Sequence, residues 1–246
     1  VKLGIAAKAG VGMKVGVRSE GQPPTKVGIA MKVGIGVNAS IALVRRAVTF
    51  ELALYRSLFR WITRRPDIPT DAEAFAYVGA IAALLWGFIF VSAIELVVLH
   101  LLLPWEAVRI VADILSLWGL MWMLGLMASF KVYPHLVGDS GIEVRHGAAT
   151  DITIPWDAIA TVAVRERDRE KSRALQLDRN EQGTELNVVI MSRTNVDLTF
   201  CRPVVVVVRQ RQESITELRL YADDARGLVL QVNERLASRE NSSMNR

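Results

Sequence analysis

Apolar and polar positions follow different periods along the chain. From Phe75 to Leu103 the positions are apolar apart from Ser92, Glu95 and His100. A second run, from Val108 to Phe130, is interrupted by Arg109, Asp113, Ser116 and Ser129. A helix needs about 20 apolar residues to cross a bilayer core. Phe75 to Ile94 is that long and carries no charge. Pro104, Trp105 and Glu106 turn the chain between the runs, so the pattern predicts a tight transmembrane helical hairpin over 74–131. Thr70 and Glu73 read as a T-x-x-E capping box ahead of its first helix. Trp105 and Tyr133 suit the interfaces, where an amphipathic ring is favoured.

Ahead of the hairpin, residues 45–65 read as an amphipathic helix. Val48, Leu52, Tyr55, Phe59 and Ile62 recur at helical spacing. Arg46, Arg56, Arg60 and Arg64 gather on another face, Glu51 is the lone acid, and Pro66 ends the helix. Two arrangements fit this pattern. The helix packs on the protein's own domain, or it lies in the membrane interface with these four arginines toward anionic lipid headgroups. Further upstream the pattern becomes a repeat of period six, with Lys2, Lys8, Lys14, Lys26 and Lys32 each followed two places later by glycine. The segment 1–40 has no aromatic residue and is rich in glycine, so it is expected to be disordered. Val1 also leaves room for a mis-assigned translation start. No apolar run in it is long enough for a secretory signal.

Beyond the hairpin the period changes to two. Strands are expected at Gly141–His146, Asp151–Pro155, Ile159–Val164, Ala174–Leu177, Glu185–Met191, Val196–Phe200, Val204–Arg209 and Ile215–Tyr221. Asp223 or Asp224 then caps a helix whose Leu228, Val232 and Leu236 share a face. Short antiparallel strands followed by one helix predict a small barrel or bent sandwich over 136–237, closed at one end by the helix. Residues 238–246 read as a disordered tail.

Composition narrows the function classes. Of 246 residues 51% are hydrophobic, concentrated in the hairpin, and the net charge is +5. Cys201 is the only cysteine, so an internal disulfide and a cysteine metal cluster are excluded. His100, His135 and His146 have no metal-ligand spacing, and no P-loop, dinucleotide fingerprint or G-x-S-x-G occurs. No catalytic residue, metal or cofactor is therefore expected, nor a nucleic-acid partner. Arg56, Arg60, Arg64 and Arg65 precede the first span and Lys131 and Arg145 follow the second, whereas the turn holds only Arg109. Positive charge favours the cytoplasm. The expected placement is multi-pass in the plasma (inner) membrane, with both termini cytoplasmic.

The residues best suited to chemistry are Glu95, His100, Arg109 and Asp113. They lie within the apolar runs near the turn, where ionisable groups are costly and mark a candidate site. A structural ion-pair cluster and a proton-linked role both fit, and the second needs an oligomer because two helices enclose no pathway. Gly79, Ala83 and Gly87 on the first helix, and Gly125 and Ser129 on the second, form small-residue faces. These are expected to pack the hairpin, or alternatively to form a homo-oligomer. The charged segment Arg165–Lys171 reads as a solvated hairpin tip.

The order of elements resembles bacterial pleckstrin-homology-like domains that follow a transmembrane hairpin. The resemblance rests on Val137-Gly138-Asp139-Ser140-Gly141-Ile142, Ile154-Pro155-Trp156-Asp157-Ala158-Ile159, Leu198-Thr199-Phe200 running into Arg202-Pro203, and the final helix. It implies a membrane α + β protein with a seven-stranded PH-like barrel and a C-terminal capping helix. Some such domains bind phosphoinositides through basic residues of the first hairpin. The corresponding turn here offers only Arg145 and His146. The fold implies no activity of its own. The expectation is a non-enzymatic anchor for an interaction or scaffolding domain with a protein partner that the sequence does not specify. The alternative is a subunit of a proton-linked or small-solute transport assembly using Glu95, His100 and Asp113.

Overall fold

The computed structural model describes residues 26–148, 150–168, 173–180, 183–208 and 211–244, and within them the side chains from residue 41 to 239 and of residue 241. The chain divides into two compact units, Val1–Arg46 and Ala47–Arg246. The first helix, α1, spans Lys26–Ile62. It therefore starts inside the repeat, ahead of the predicted Arg45; residues 1–25 of the repeat lie outside the described residues.

Within the second unit, α2 (Gly79–Leu102) and α3 (Glu106–Val132) are both long and apolar enough to cross a membrane. They meet through Leu85 and Ile89 on α2 and Met127 on α3. The small-residue expectation is corrected here. Ala83 and Gly87 face outward, and a Cβ added at Gly87 would meet nothing within 4 Å. Leu85 and Ile89 project from the opposite side of α2 and fill the seam. Gly125 packs instead against α1, where an added Cβ would lie 3.0 Å from Leu54 Cβ. The outward faces stay apolar: Phe90 is 66% exposed, Leu101 76% and Ile114 62%.

The part of α1 from Ala47 onward lies along α3. Glu51 accepts a hydrogen bond from Trp118 Nε1 at 2.6 Å, and the Phe50 and Trp122 rings lie 6.4 Å apart. Lys131 Nζ stands 5.5 Å over the Trp61 ring. Residue numbers rise together in both helices, so the two run parallel. Leu54, Ser57 and Leu58 are buried, whereas Val48, Leu52, Phe59 and Ile62 of the predicted apolar stripe are exposed. The helix is apolar on two faces, and the packed one is not the one that the stripe marked.

The remaining strands form two sheets. β1 (Glu73–Phe75), β2 (His135–Val137), β3 (Gly141–His146) and β4 (Thr150–Pro155) lie side by side in that order. β1 precedes the hairpin and β2 follows it, paired antiparallel with Ala74 opposite Leu136. The capping box is thereby overturned: Glu73 is in a strand, and α2 begins at Gly79 without a side-chain bond from its own N-cap, Val78. A 3-10 turn at Trp156–Ala158 leads to the second sheet. Its strands are β5 (Ile159–Asp168), β6 (Leu175–Asn180), β7 (Gly183–Val188), β8 (Arg193–Val208) and β9 (Arg211–Leu220), in the order β5-β8-β9-β7-β6.

The strands differ from expectation in three ways. The pattern marks eight and the resemblance implies seven, whereas the described strands number nine, four in one sheet and five in the other, because two short strands flank the helices. β7 and β9 pair parallel, so the second sheet is not a simple meander. The two strands expected at 196–200 and 204–209 are one bent strand, β8, with its register shift between Thr199 and Val204. Pro203 lies in that interval and has no N–H to give the ladder. Of the charged segment Arg165–Lys171, residues up to Asp168 continue β5, and 169–172 lie outside the described residues.

The sheets share one core, in which Ile142, Val144 and Ile154 meet Leu186, Leu198 and Leu218. The last helix, α4 (Ala225–Met244), covers it with Leu228 and Val232 and extends past the predicted end into 238–246. Asp224 caps α4, accepting the Gly227 N–H at 2.8 Å. Arg235 holds α4 to the β2–β3 turn by pairing with Asp139 at 2.7 Å.

Candidate functional site

A dense polar cluster lies where the helical ends meet the first sheet. Tyr77, two residues before α2, is fully buried. Its ring stacks on His135 at 4.5 Å between centroids, with Phe130 and His146 also beside it. The Gly147 N–H donates to the phenol oxygen at 2.6 Å, and burial raises the phenol's pKa. His135 begins β2 and has both ring nitrogens engaged. Nδ1 faces the Arg145 N–H at 3.1 Å and must accept, so Nε2 carries the hydrogen and donates to the Tyr221 carbonyl at 3.0 Å. A second ring proton would point at another donor. Burial, more than any neighbouring charge, lowers the imidazole's pKa to about 4. Burial lowers that of His146 as well.

Arg145, on β3, fastens the linker after α1 to the sheet. Its guanidinium donates to the Asp67 carbonyl at 2.8 Å and the Glu143 carboxylate at 2.6 Å. The carboxylates of Asp67 and Asp151 follow at 3.5 and 3.8 Å. Its side chain is only 9% exposed. Asp67 also donates its N–H to Val132 at the end of α3 and accepts from Arg60 at 2.6 Å. The basic pair of the first hairpin is thus drawn into the junction, Arg145 buried on carboxylates and His146 half-buried against Phe130.

Asp223 completes the junction from the end of β9. Its N–H donates to Ala76, and both carboxylate oxygens receive the Gly79 N–H, at 3.0 and 2.9 Å. It caps α2 from 144 residues away, while its neighbour Asp224 caps α4. A Cβ at Gly79 would lie 2.8 Å from that carboxylate, so the close approach requires glycine.

The residues predicted as sites are distributed differently. In the group at the far end of α2 and α3, His100 Nδ1 and Asp113 Oδ2 lie 2.8 Å apart. Glu95 is exposed, and Arg109, half-buried, is not joined to this pair. Asp113 Oδ1 is buried without a hydrogen-bond partner. Of the arginines, Arg46 and Arg56 are exposed on α1, and Arg60 is held by Asp67 and the Tyr133 ring. Arg64 is exposed just past the end of α1, at φ 54°. Among the described residues no three of His, Cys, Asp and Glu are grouped to hold a metal. Tyr77 and Asp67 are not marked by the sequence pattern, which shows Arg145 only as a basic residue of the first hairpin and Asp223 only as an alternative cap of the last helix. The consecutive Asp223 and Asp224 were the one available signal, since a helix uses a single N-cap.

No protein-family model, curated protein or solved structure matches the chain.

Proposed function

We propose that the chain is a non-enzymatic integral membrane protein in which α2 and α3 cross the bilayer and hold a PH-like interaction or scaffolding domain at its cytoplasmic face. The observation that carries this reading is the pairing of β1 with β2 across the hairpin, locked by Asp223 on Gly79. The sheet begins on one apolar helix and resumes on the other, so the domain is mounted on the hairpin at two points rather than tethered at one. Two sheets around one core with a terminal covering helix support the PH-like reading, and a barrel is its finer form. The cationic excess beside the start of α2 and the end of α3 supports a cytoplasmic domain and C terminus in a plasma (inner) membrane.

The course of α1 from Ala47 onward bears on its arginines. Glu51 is level with Trp118, about halfway along α3. A helix lying flat in the interface does not reach that depth beside a crossing helix. This geometry favours packing of 47–62 on the hairpin over the interfacial reading of the arginines. Reporters fused at the C terminus and inserted at Glu106 test the hairpin. The first is expected to be active only in a cytoplasmic format and the second only in an external one. The reverse result sinks the proposal. Crosslinking from native membranes then identifies the partner.

A second reading, a subunit of a proton-linked transport assembly, is favoured by one observation: the His100–Asp113 contact inside the apolar segment. Glu95 is exposed and makes no ion pair with that contact, so a role for it there calls for another chain.

A further inference from the structure

We infer that the cleft where the end of α1, the start of α2 and the end of α3 converge binds one anionic phospholipid of the cytoplasmic leaflet. The inference rests on the membrane reading above and adds a ligand and a place for it.

The cleft has a volume of about 700 Å³. Its charge is one-sided: Arg60, Arg64, Arg65 and Lys131 line it and no carboxylate does. Asp67, the nearest acid to α1's last turn, is already shared between Arg60 and Arg145. Among the described residues Arg64, Arg65 and Lys131 have no acidic partner, although Lys131 lies over the Trp61 ring. The rest of the lining is apolar, with Trp61, Ile62, Val78 and Phe130 facing the same space. A free phosphate would use the cations and leave that lining uncovered. An acyl chain would use the lining and leave the cations unneutralised. A molecule with a phosphate at one end and hydrocarbon at the other matches both.

The position fits such a ligand. Val78 directly precedes α2 and Lys131 is next to last in α3, so the cations mark the level at which the apolar helices end. The backbone adds an independent observation. α1 closes with the Arg65 N–H on the Arg60 carbonyl at 2.9 Å, and Arg64 occupies the left-handed position at φ 54°. Glycine is the residue that this helix-ending motif prefers. An arginine held there at a cost in backbone energy directs a cation into the cleft rather than merely ending the helix.

The test uses the full chain in detergent, with native mass spectrometry reading the lipid retained. Phosphatidylglycerol and phosphatidylcholine of identical acyl chains are the probes. Wild type is expected to retain phosphatidylglycerol preferentially. The R64Q/K131Q double variant should lose that preference by about tenfold or more. R56Q, an exposed arginine outside the cleft, should keep it. Equal loss in R56Q would show diffuse attraction and overturn the site, as would no loss in the double variant. Displacement of the lipid by millimolar inorganic phosphate would overturn the lipid in favour of a bare anion. If the double variant does not fold, photoactivatable phosphatidylglycerol on wild type decides. Label concentrated on 60–66 and 130–134 supports the site, and label spread evenly along α2 and α3 overturns it. Alkaline carbonate extraction separates the two levels. Protein that washes off membranes sinks the membrane reading. Protein that stays but shows no lipid preference sinks only the cleft.

Discussion

Two polar clusters stand at opposite ends of α2 and α3, and they are built differently. At the sheet end, Tyr77, His135 and Arg145 are buried, and each makes hydrogen bonds to groups from other elements. At the turn end, His100 and Asp113 make one contact, are 57% and 28% exposed, and leave Asp113 Oδ1 buried without a partner. A polar group out of water costs free energy unless it is paired, and an incompletely satisfied network costs more than a complete one. The sheet end also leaves Arg145 Nε and His146 Nδ1 buried without a hydrogen-bond partner, but its several bonds between elements give it the character of a fixed joint. The turn end rests on a single contact between part-exposed side chains. Charge within an apolar run had marked only the second cluster, although the first makes more bonds.

The largest expected difference comes from removing one cation of the joint. Arg145→Ala removes the buried cation that Glu143 and Asp67 share, although both carboxylates keep part of their solvation. Losing hydrogen bonds between charged groups of this kind costs about 1.5–3 kcal/mol. Urea unfolding in detergent should show a loss of that order, together with proteolysis in the Pro66–Thr70 linker that Arg145 no longer holds. A loss under about 1 kcal/mol would mean that the joint is not stabilised by this network.

Acid sharpens the same contrast. The pKa of His135 is about 4 in the folded chain, against 6.5 for the free side chain. The unfolded state thus takes up the proton first as pH falls. Stability is present in full above 6.5 and is lost as pH drops toward 4, at up to about 1.4 kcal/mol per pH unit. From pH 6.5 to 5, ahead of most carboxylate titration, the expected loss is about 2 kcal/mol. His146, lowered by its own burial, acts in the same direction. The slope should survive His100→Ala unchanged. A flat profile in wild type, or a slope abolished by that variant, would move the titrating group away from the joint.

Legibility in the sequence followed the range of the interactions. The hairpin could be read because each apolar run exceeds what a soluble strand or short helix needs. Most strands of the second domain could be read because alternation is local. β1 and β2 could not: each has three residues, and their pairing joins Glu73 to Val137 across the whole hairpin. Locally, Thr70 to Glu73 looks like the start of a helix, and only the distant partner strand makes it otherwise. The junction failed for the same reason, since Asp223 caps a helix that it follows by 144 residues. On α1, Val48, Leu52 and Phe59 and the buried Leu54 and Leu58 both sit at helical spacing. Periodicity alone does not choose which face α3 covers.

The smallest effect is expected at the turn end, where it carries the most functional information. His100→Ala and Asp113→Asn each remove one partner of a part-exposed contact. Such pairs contribute about 0–1 kcal/mol, so both variants should unfold within about 1 kcal/mol of wild type. Glu95→Gln should be neutral, because Glu95 is exposed and outside the His100–Asp113 contact. With stability unchanged, growth or ion flux in cells becomes a clean readout. Asp113→Asn keeps the shape and removes the charge, so a lost phenotype at normal protein level would favour the transport reading over a passive anchor. If Glu95→Gln has the same effect, the two carboxylates act together although one chain holds them apart. Mixed oligomers carrying one variant on each chain should then restore part of the function. If all three variants grow and accumulate like wild type, the turn-end cluster is structural and the transport reading falls. The proposed function then rests on the joint and the domain that it holds.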